Sequence, residues 1–240
     1  MQIGEAAFEF VELSATEQAV EPLLAFFRRV IADVGFIACA GGAGIKSGEN
    51  NLHRFYFNDW PPAWLSVYEK LTGSENDLVV IEAARRMKPF LVSDIRRDPY
   101  LARASAKLLG AFDDFGWKEV LGVPVHGPGG YNGLVALAAM QPVALQPAQI
   151  AAIEMMCLTL HRRCRETPDY GVALPATAKL TSRQVECLRW AAAGKTDAEI
   201  GYIIGVTAAT AHYHIEMAKK RLNVGSRVEA IAQIILSGQM

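Results

Sequence analysis

The amino-acid sequence predicts an α+β protein in two parts, an α/β/α sandwich over residues 1–166 and an all-α domain of four helices over residues 179–240. Two observations carry this prediction. Helical and strand-like patterns alternate up to residue 166, whereas only helical patterns follow residue 179. The stretch between them, 167–178, has two prolines, a glycine and little charge, as interdomain linkers do.

The elements of the first part follow from residue spacing and end signals, among them Asp77 as a helix cap. Helices are predicted over 19–34, 61–71, 77–87, 103–115 and 146–165. Strands are predicted over 36–40 (ending at the glycines 41–42), 53–57, 120–125 and 134–140, the last two joined as a hairpin through 126–133. These elements predict a sheet of about five strands with helices on both faces.

The second part reads as four short helices separated by glycines and threonine caps. The helices are predicted over 181–193 with Gly194 as the stop, from the cap at Thr196 or Asp197 to Gly205, from Thr207 to Leu222, and from Ser226 onward.

Charge and cysteine content narrow the class of protein. The formal net charge is −1, but residues 177–240 carry eight Lys and Arg against five Asp and Glu, a basic excess that suits an anionic partner. The four cysteines are too scattered for a disulfide framework and are expected to be buried thiols. The acidic N-terminus and the absence of an 18-residue apolar run predict a cytoplasmic protein without a membrane span.

Residues 197–214 have the layout of a helix-turn-helix: a short helix, a glycine, a tight turn and a second helix capped by Thr207. In this layout the second helix enters the major groove of double-stranded DNA. Thr207 and Thr210 are then expected at phosphates, His212, Tyr213 and Glu216 at base edges, and Lys219, Lys220 and Arg221 at phosphates. Pattern alone leaves open a helical docking or dimerisation domain with solvated charges.

A family resemblance covers about 55 residues of this second part. The motif residues are Leu180-Thr-Ser-Arg183, Leu188-Arg-Trp190, Gly194-Lys-Thr196, Glu199-Ile200, Thr210, His214, Lys220 or Arg221, Leu222 and Arg227. In these residues the chain resembles the DNA-binding domain of LuxR-type regulators. The family usually has Glu where this chain has Gln184, which removes one charge from an ion pair within the domain.

The first part resembles the autoinducer-binding domain of quorum-sensing LuxR proteins in Trp60-Pro-Pro-Ala-Trp64, Tyr68, Asp77, Pro89-Phe90 and Val123-Pro-Val-His-Gly-Pro-Gly-Gly130. The resemblance implies a buried small-molecule signal, typically an N-acyl homoserine lactone. It also implies that Trp64 lies over the acyl chain, Tyr68 near the acyl carbonyl and Asp77 at the amide N–H. From spacing alone, Trp60, Trp64 and Tyr68 form a stripe of one helix face that is equally consistent with ordinary core, and Asp77 with a plain cap.

Three positions depart from the family pattern. Leu78 replaces its proline, Val92 replaces its tryptophan after Pro-Phe, and Val120 replaces a usual glycine. Val92 cannot donate a hydrogen bond, and Val120 adds bulk. Three possibilities stay open: a lactone held differently, another small apolar ligand, or no ligand.

No pattern indicates an enzyme or a metal site. Ser93-Asp94, His126 and His161 are isolated, and His212 and His214 point to different sides of a helix. Asp113-Asp114 lie within a helical stretch, which argues against a phosphoacceptor receiver. The overall expectation is a dimeric DNA-binding regulator without a cofactor, and the apolar face of helix 146–165 (Ile150, Ile153, Cys157, Leu160) is the predicted homodimer interface.

Overall fold

The computed structural model describes residues 2–47, 50–71, 77–128, 131–167 and 180–236. The chain divides into two compact units, the first formed by Met1–His126 and Tyr131–Val172 and the second mainly by Ala173–Met240. Apart from Thr167, the predicted linker lies outside the described residues, as does the glycine pair 129–130 of the predicted hairpin. The predicted fold class is confirmed, because an α/β sandwich precedes an all-helical region.

The described residues of the first unit form eight helices and five strands. The helices are α1 (Ile3–Thr16), α2 (Val20–Asp33), α3 (Pro62–Leu71), α4 (Leu78–Arg85), α5 (Val92–Arg97), α6 (Pro99–Ala104), α7 (Ala106–Phe115) and α8 (Pro147–Glu166). The strands are β1 (Ala38–Ser47), β2 (Asn50–Asn58), β3 (Phe90–Leu91), β4 (Glu119–Gly127) and β5 (Tyr131–Ala139). They form one antiparallel sheet in the order β2-β1-β5-β4-β3.

Strand β1 is longer than predicted, because it continues through Gly41 and Gly42 to Ser47. Gly41 pairs with Phe57 of β2, and a Cβ atom at Gly41 would stand only 2.4 Å from the Phe57 ring. The glycine therefore makes room for an aromatic ring across the strands, and the prediction that it ends the strand was wrong.

Two separate cores lie on the two faces of the sheet. Along β5, Val135, Leu137 and Ala139 belong to one core and Ala136 and Ala138 to the other, as the two-residue period of a strand requires. We call the face covered by α1, α2 and α8 the α8 face, and the face covered by α3 to α7 the α3 face. The predicted sandwich with helices on both sides is confirmed.

The helix predicted over 103–115 is two helices. Ser105 leaves the helical conformation (φ −107°, ψ 7°), and its hydroxyl donates to the Leu101 carbonyl oxygen. Such bonding of serine to the backbone competes with the helix, so α6 ends at Ala104 and α7 begins at Ala106. Helix α4 ends at Arg85, two residues before the predicted Met87.

Three elements were missed in the sequence. Helix α1 buries mainly small residues, among them Ala6 and Ala7, so its apolar stripe is weak. Helix α5 has six residues and β3 has two, lengths that are too short for a periodic pattern to be recognised.

The face of α8 that was predicted as a dimer interface is instead internal. Ile153, Cys157 and Leu160 are fully buried in the α8-face core of their own unit, while Ile150 is half-buried. The amphipathic pattern identified the buried side of the helix correctly, but the sheet and neighbouring helices cover it. The prediction that these residues hold two copies together was wrong.

The described residues of the second unit form α9 (Ser182–Ala192), α10 (Asp197–Ile204), α11 (Ala208–Leu222) and α12 (Arg227–Leu236). The side chains of Thr181, Thr196 and Thr207 cap α9, α10 and α11, and Gly194 and Gly205 adopt positive φ where α9 and α10 end. All four predicted helices are confirmed within a few residues. They share one core that includes Cys187, Leu188, Ile200, Ala211, Ile215 and Ile234.

Candidate functional site

The three rings of the predicted stripe, Trp60, Trp64 and Tyr68, lie next to one another on the α3 face. The ring centroids of Trp60 and Trp64 are 6.2 Å apart, and those of Trp64 and Tyr68 are 6.1 Å apart. Trp64 is 2% exposed and also contacts the rings of Phe112 and Phe115 of α7. Trp64 and Tyr68 lie four residues apart on α3, which brings their rings together, and Trp60 stands just before the helix begins at Pro62.

Asp77 is a helix cap that also accepts a hydrogen bond from the aromatic stripe. It is 4% exposed, and its Oδ1 accepts from the backbone N–H groups of Val79 at 2.8 Å and Val80 at 3.4 Å, which caps α4. The hydroxyl of Tyr68 donates to the other carboxylate oxygen. The cap therefore stands directly beside the aromatic stripe.

Val92 and Val120 lie in the same core as this stripe. Val92 is 3% exposed and Val120 is 2% exposed, and both add only apolar surface. The backbone next to Val92 and at Val120 is tied to the buried Glu119. Its Oε1 accepts from the backbone N–H groups of Ser93 and Val120, each at 3.1 Å. The structure thus brings all six predicted ligand-site residues to one face of the sheet.

Trp117 was missed in the sequence, although it lies in the middle of this aromatic group. It is 1% exposed, and its ring centroid is 5.3 Å from that of Trp60, 6.3 Å from that of Trp64 and 5.4 Å from that of Phe115. Within the described residues its Nε1 atom has no hydrogen-bond partner. The one signal in the sequence is its position directly after Gly116, the glycine that ends α7.

The helix-turn-helix of the second unit is closely packed. Gly201 of α10 lies under the turn, where an added Cβ would stand 2.8 Å from the carbonyl oxygen of Val206. Thr207 Oγ1 accepts from the backbone N–H of Thr210 at 3.1 Å, and the two hydroxyl oxygens are 2.8 Å apart. This close approach positions α11 on α10 as the layout predicted.

Helix α11 has one buried and one exposed side. Ala211, Ile215, Ala218 and Leu222 face the core. Of the predicted DNA contacts, Thr207, His212, Tyr213, Lys220 and Arg221 are exposed, whereas Thr210, Glu216 and Lys219 are half-buried. The residues predicted to contact DNA therefore lie on or beside the exposed side of this helix.

Some of these side chains already have partners inside the unit. His212 Nδ1 lies 2.8 Å from Asp197 Oδ2, and Arg227 Nη1 donates to Asp197 Oδ1 at 2.5 Å. Burial opposes ionisation of Asp197, but the hydrogen bonds from His212 and Arg227 hold its pKa below the ordinary value. Lys219 Nζ donates to both carboxylate oxygens of Glu216, at 2.8 and 3.0 Å.

Gln184, the departure from the family pattern, keeps a link to α11. Its Oε1 accepts from the N–H of Thr181 at 3.0 Å and from Arg221 Nη1 at 3.3 Å. The neutral amide therefore preserves a contact between α9 and the last turn of α11, where the family resemblance implied an ion pair.

Neither a membrane helix nor a metal cluster is found in the described part of the chain. None of its helices combines the length and apolarity needed to cross a bilayer. No three His, Cys, Asp or Glu side chains within residues 2–47, 50–71, 77–128, 131–167 and 180–236 are grouped to hold a metal ion. The four cysteines are buried and free, as predicted.

Comparison with protein families matches both parts of the chain. Residues 20–164 match the family described as autoinducer binding domain, and residues 178–234 match bacterial regulatory proteins of the luxR family. The first match covers more than half of the 240 residues.

Two similar proteins match this chain over nearly its whole length. The HTH-type quorum sensing-dependent transcriptional regulator RpaR of Rhodopseudomonas palustris is 30% identical over 98% of this chain and 95% of its own. The transcriptional activator protein AnoR of Acinetobacter nosocomialis is 44% identical over 91% and 92%. These relatives are regulators of transcription rather than enzymes.

The fold is shared with solved structures of low sequence identity. A structure of SdiA in complex with octanoyl-rac-glycerol is 14% identical, with a TM-score of 0.71 over 99% of this chain and 96% of that one. A crystal structure of Escherichia coli SdiA gives 15% identity and a TM-score of 0.70 over 97% of this chain and 96% of that one.

Proposed function

We propose a function from one premise: the chain belongs to the LuxR-type family of quorum-sensing transcriptional regulators. In this proposal, residues 1–166 form a sensor domain that binds a small-molecule signal, 167–178 a linker, and 179–240 a domain that binds double-stranded DNA. The protein acts in the cytoplasm, where its DNA target lies.

A single observation carries the DNA-binding half of the proposal: α11 follows a tight turn on α10 and has one free side. Such a helix fits the major groove, which is wide enough for one α-helix. Tyr213, 60% exposed, and Lys220 extend from that side into solvent. Lys220, with Arg221 and Lys219, neutralises phosphates, and the Thr207 and Thr210 hydroxyls bind the DNA backbone near the start of the helix.

Base contacts are assigned to His212, Tyr213 and Glu216. Within the unit, His212 pairs with Asp197 and Glu216 pairs with Lys219. Each must therefore share or exchange a partner when DNA binds, and a carboxylate such as that of Glu216 can accept from a cytosine amino group. The internal pairs hold both side chains in place before DNA arrives.

The sensor half of the proposal places the signal on the α3 face, against Trp60, Trp64, Tyr68, Asp77, Val92 and Val120. Aromatic walls with one buried acceptor suit an apolar chain that carries an amide N–H. The buried Asp77 carboxylate beside the Tyr68 hydroxyl supports such a polar group of the ligand. An N-acyl homoserine lactone has this chemistry.

A second candidate ligand class is an acyl compound without the lactone. Val92 brings no hydrogen-bonding group to the α3 face, which weakens the case for a polar ring at that point. The SdiA structure with the same fold is described as a complex with octanoyl-rac-glycerol, an acyl ester. Both candidate classes contain an acyl carbonyl.

We also propose that the active form is a homodimer. One recognition helix contacts few bases, and paired helices bind half-sites about ten base pairs apart. The buried face of α8 is excluded as the contact, so another surface of the first unit or of the DNA-binding domain must supply it.

The test is selection of a binding site from a pool of random DNA duplexes by the purified full chain, with and without each member of a panel of acyl homoserine lactones and acylglycerols. We expect an enriched sequence with two related half-sites. Lys220→Ala should weaken binding to the selected and to random DNA alike, whereas Glu216→Gln should change the enriched bases.

Three results would contradict parts of this proposal. If no sequence is enriched under any condition, the chain does not bind DNA as proposed. Equal losses on selected and random DNA for Glu216→Gln would remove its role at the bases. If no panel member raises the unfolding midpoint of the full chain, the proposed ligand classes are wrong, because a ligand at about a hundred times its Kd stabilises by about 2.7 kcal/mol.

A further inference from the structure

Trp117 is held in place from both directions along the chain. Gly116 takes the left-handed conformation (φ 98°) at the end of α7, which lets the backbone N–H of Trp117 donate to the Phe112 carbonyl oxygen at 2.8 Å. Strand β4 begins two residues later at Glu119, whose buried carboxylate ties it to Ser93. The backbone around Trp117 is therefore fixed on both sides, and its side chain lies in the α3-face core.

The surroundings of the indole are aromatic. Trp60 and Trp64 meet it nearly edge-on, with interplanar angles of 79° and 88°, and Phe115 stacks on it at 28°. These neighbouring rings offer it no oxygen acceptor, and among the described residues no atom accepts from Trp117 Nε1. A buried indole N–H nearly always has a partner, so this donor calls for an explanation.

Among the described residues, one other buried side-chain nitrogen or oxygen atom lacks a hydrogen-bond partner, and its situation differs from that of Trp117 Nε1. Arg163 Nε lacks a partner, but Nη2 of the same guanidinium donates to the carbonyl oxygens of Glu17 and Gln18 at 2.9 and 3.1 Å. That side chain is thus anchored by its other donors. The indole of Trp117 has a single N–H and no second donor that could anchor it.

We propose that the indole N–H of Trp117 donates a hydrogen bond to a neutral carbonyl oxygen of the molecule bound on the α3 face, and that Trp117 thereby selects carbonyl-bearing ligands. This inference rests on the proposed function, since it needs a ligand at that face. The inference goes beyond the proposed function because it assigns a ligand contact to Trp117, which the family resemblance did not indicate.

The chemistry limits what the partner can be. An indole N–H only donates, so its partner must be an acceptor. The buried carboxylates of Asp77 and Glu119 belong to the same side of the sheet and disfavour a further buried negative charge there, so an ester, amide or ketone fits better than a free fatty acid. The flat rings around Trp117 suit an alkyl or aromatic group next to that carbonyl.

The experiment compares ligand binding by the full wild-type chain, Trp117→Phe and the control Trp190→Phe, which changes an indole of the second unit. The probes are the panel members that bind the wild type, and 1-O-octylglycerol, an ether that lacks the carbonyl of octanoylglycerol. Phenylalanine keeps an aromatic ring but removes the donor. We expect Trp117→Phe to weaken binding about tenfold and Trp190→Phe to leave it unchanged.

Further readouts separate ligand recognition from a structural role of the N–H group. The ether should bind the wild type about tenfold more weakly than the ester, and Trp117→Phe should abolish that difference. In the wild type, the indole N–H proton of Trp117, assigned by its contacts with the Phe115 ring, should move downfield on addition of a binding probe. The ligand-free variant should be destabilised only as far as a smaller ring in a buried site requires, because no protein hydrogen bond is lost.

Each other outcome overturns the inference in a recognisable way. If probes bind and Trp117→Phe binds them like the wild type, Trp117 is not a ligand donor, although the proposed sensor function stands. An indole proton that does not move on binding excludes the donor role as well, even if the variant fails to fold, and indicates a water or a permanently unpaired group. If no panel member binds the wild type, the proposed ligand classes and this inference fail together.

Discussion

The two faces of the sheet differ in how their buried polar groups are paired. On the α8 face, His161 Nε2 lies 3.0 Å from the Gly42 carbonyl oxygen and 3.3 Å from the Tyr131 hydroxyl, which in turn is 3.0 Å from the hydroxyl of Tyr56. On the α3 face, the N–H of Trp117 has no acceptor among the described residues. Similar burial therefore serves two purposes. The buried polar side chains of the α8 face are anchored to protein partners, Arg163 through its Nη2 although its Nε has none, whereas the single donor of Trp117 on the α3 face is available for a ligand.

The largest effect that tests this contrast is loss of packing on the α8 face. Leu160 is fully buried there, and Leu160→Ala should lower the free energy of unfolding of the first unit by about 2–5 kcal/mol through lost burial and a residual cavity. Urea unfolding measures it. Leu158→Ala on the same helix, where the side chain is 39% exposed, is the control and should cost much less.

If the α8 face is purely structural, Leu160→Ala should leave ligand affinity unchanged at a temperature where the variant is folded. A loss of ligand binding as large as that of Trp117→Phe would show that the two faces are not independent.

A second effect is a pH dependence of stability confined to the α8 face. Burial, together with the nearby positive charge of Arg165, lowers the pKa of His161 to about 4, against 6.5 for an ordinary histidine. The unfolded chain therefore takes up a proton before the folded one does. The contribution of neutral His161 to stability is fully present above pH 6.5. The free energy of unfolding should fall by about 3 kcal/mol as the pH drops from 6.5 to 4.

The measurement is the urea midpoint between about pH 7 and pH 4.5 for the wild type and His161→Gln. The variant should lose this part of the pH dependence, whereas His126→Gln, on an exposed side chain, should retain it. Identical profiles for the wild type and His161→Gln would contradict the assignment.

The smallest effect compares two aspartate caps in the first unit. Asp77 caps α4 and Asp98 caps α6 through bonds to Tyr100 N and Leu101 N at 2.9 and 3.1 Å. Replacing either by alanine should cost about 0.5–2 kcal/mol of stability. Only Asp77→Ala should also reduce stabilisation by an acyl homoserine lactone, because only Asp77 lies beside the aromatic stripe of the α3 face. Equal ligand responses of the two variants would reduce Asp77 to a plain cap.

Much of the second unit could be predicted from its sequence, because its signals are local. Thr181, Thr196 and Thr207 each bond to a backbone N–H three residues later, and Gly205 takes the left-handed conformation that favours glycine. These contacts span a few residues and depend little on the rest of the fold. The first unit was harder, because its decisive contacts join distant segments.

Two errors show what such long-range contacts change. Gly41 reads locally as the end of a strand, but the ring of Phe57 on the neighbouring strand occupies the space beside it. The apolar face of α8 reads equally well as an interface or as core, since periodicity identifies the buried side of a helix without identifying what covers it. In both cases the missing information was the position of another segment.

The fold class, the helix ends of the second unit and the family resemblance could be predicted from the chain alone, since capping residues, apolar periodicity and motif spacing are local properties. Which surfaces are internal and which polar groups have partners depends on how distant segments pack together. Trp60 and Trp64 come from one stretch of sequence and Trp117 from another, and whether the N–H of Trp117 has an acceptor depends on every segment around it. Hydrogen-bond satisfaction is a property of the packed molecule, which is why the fold was needed to show that the Trp117 N–H has no acceptor among the described residues.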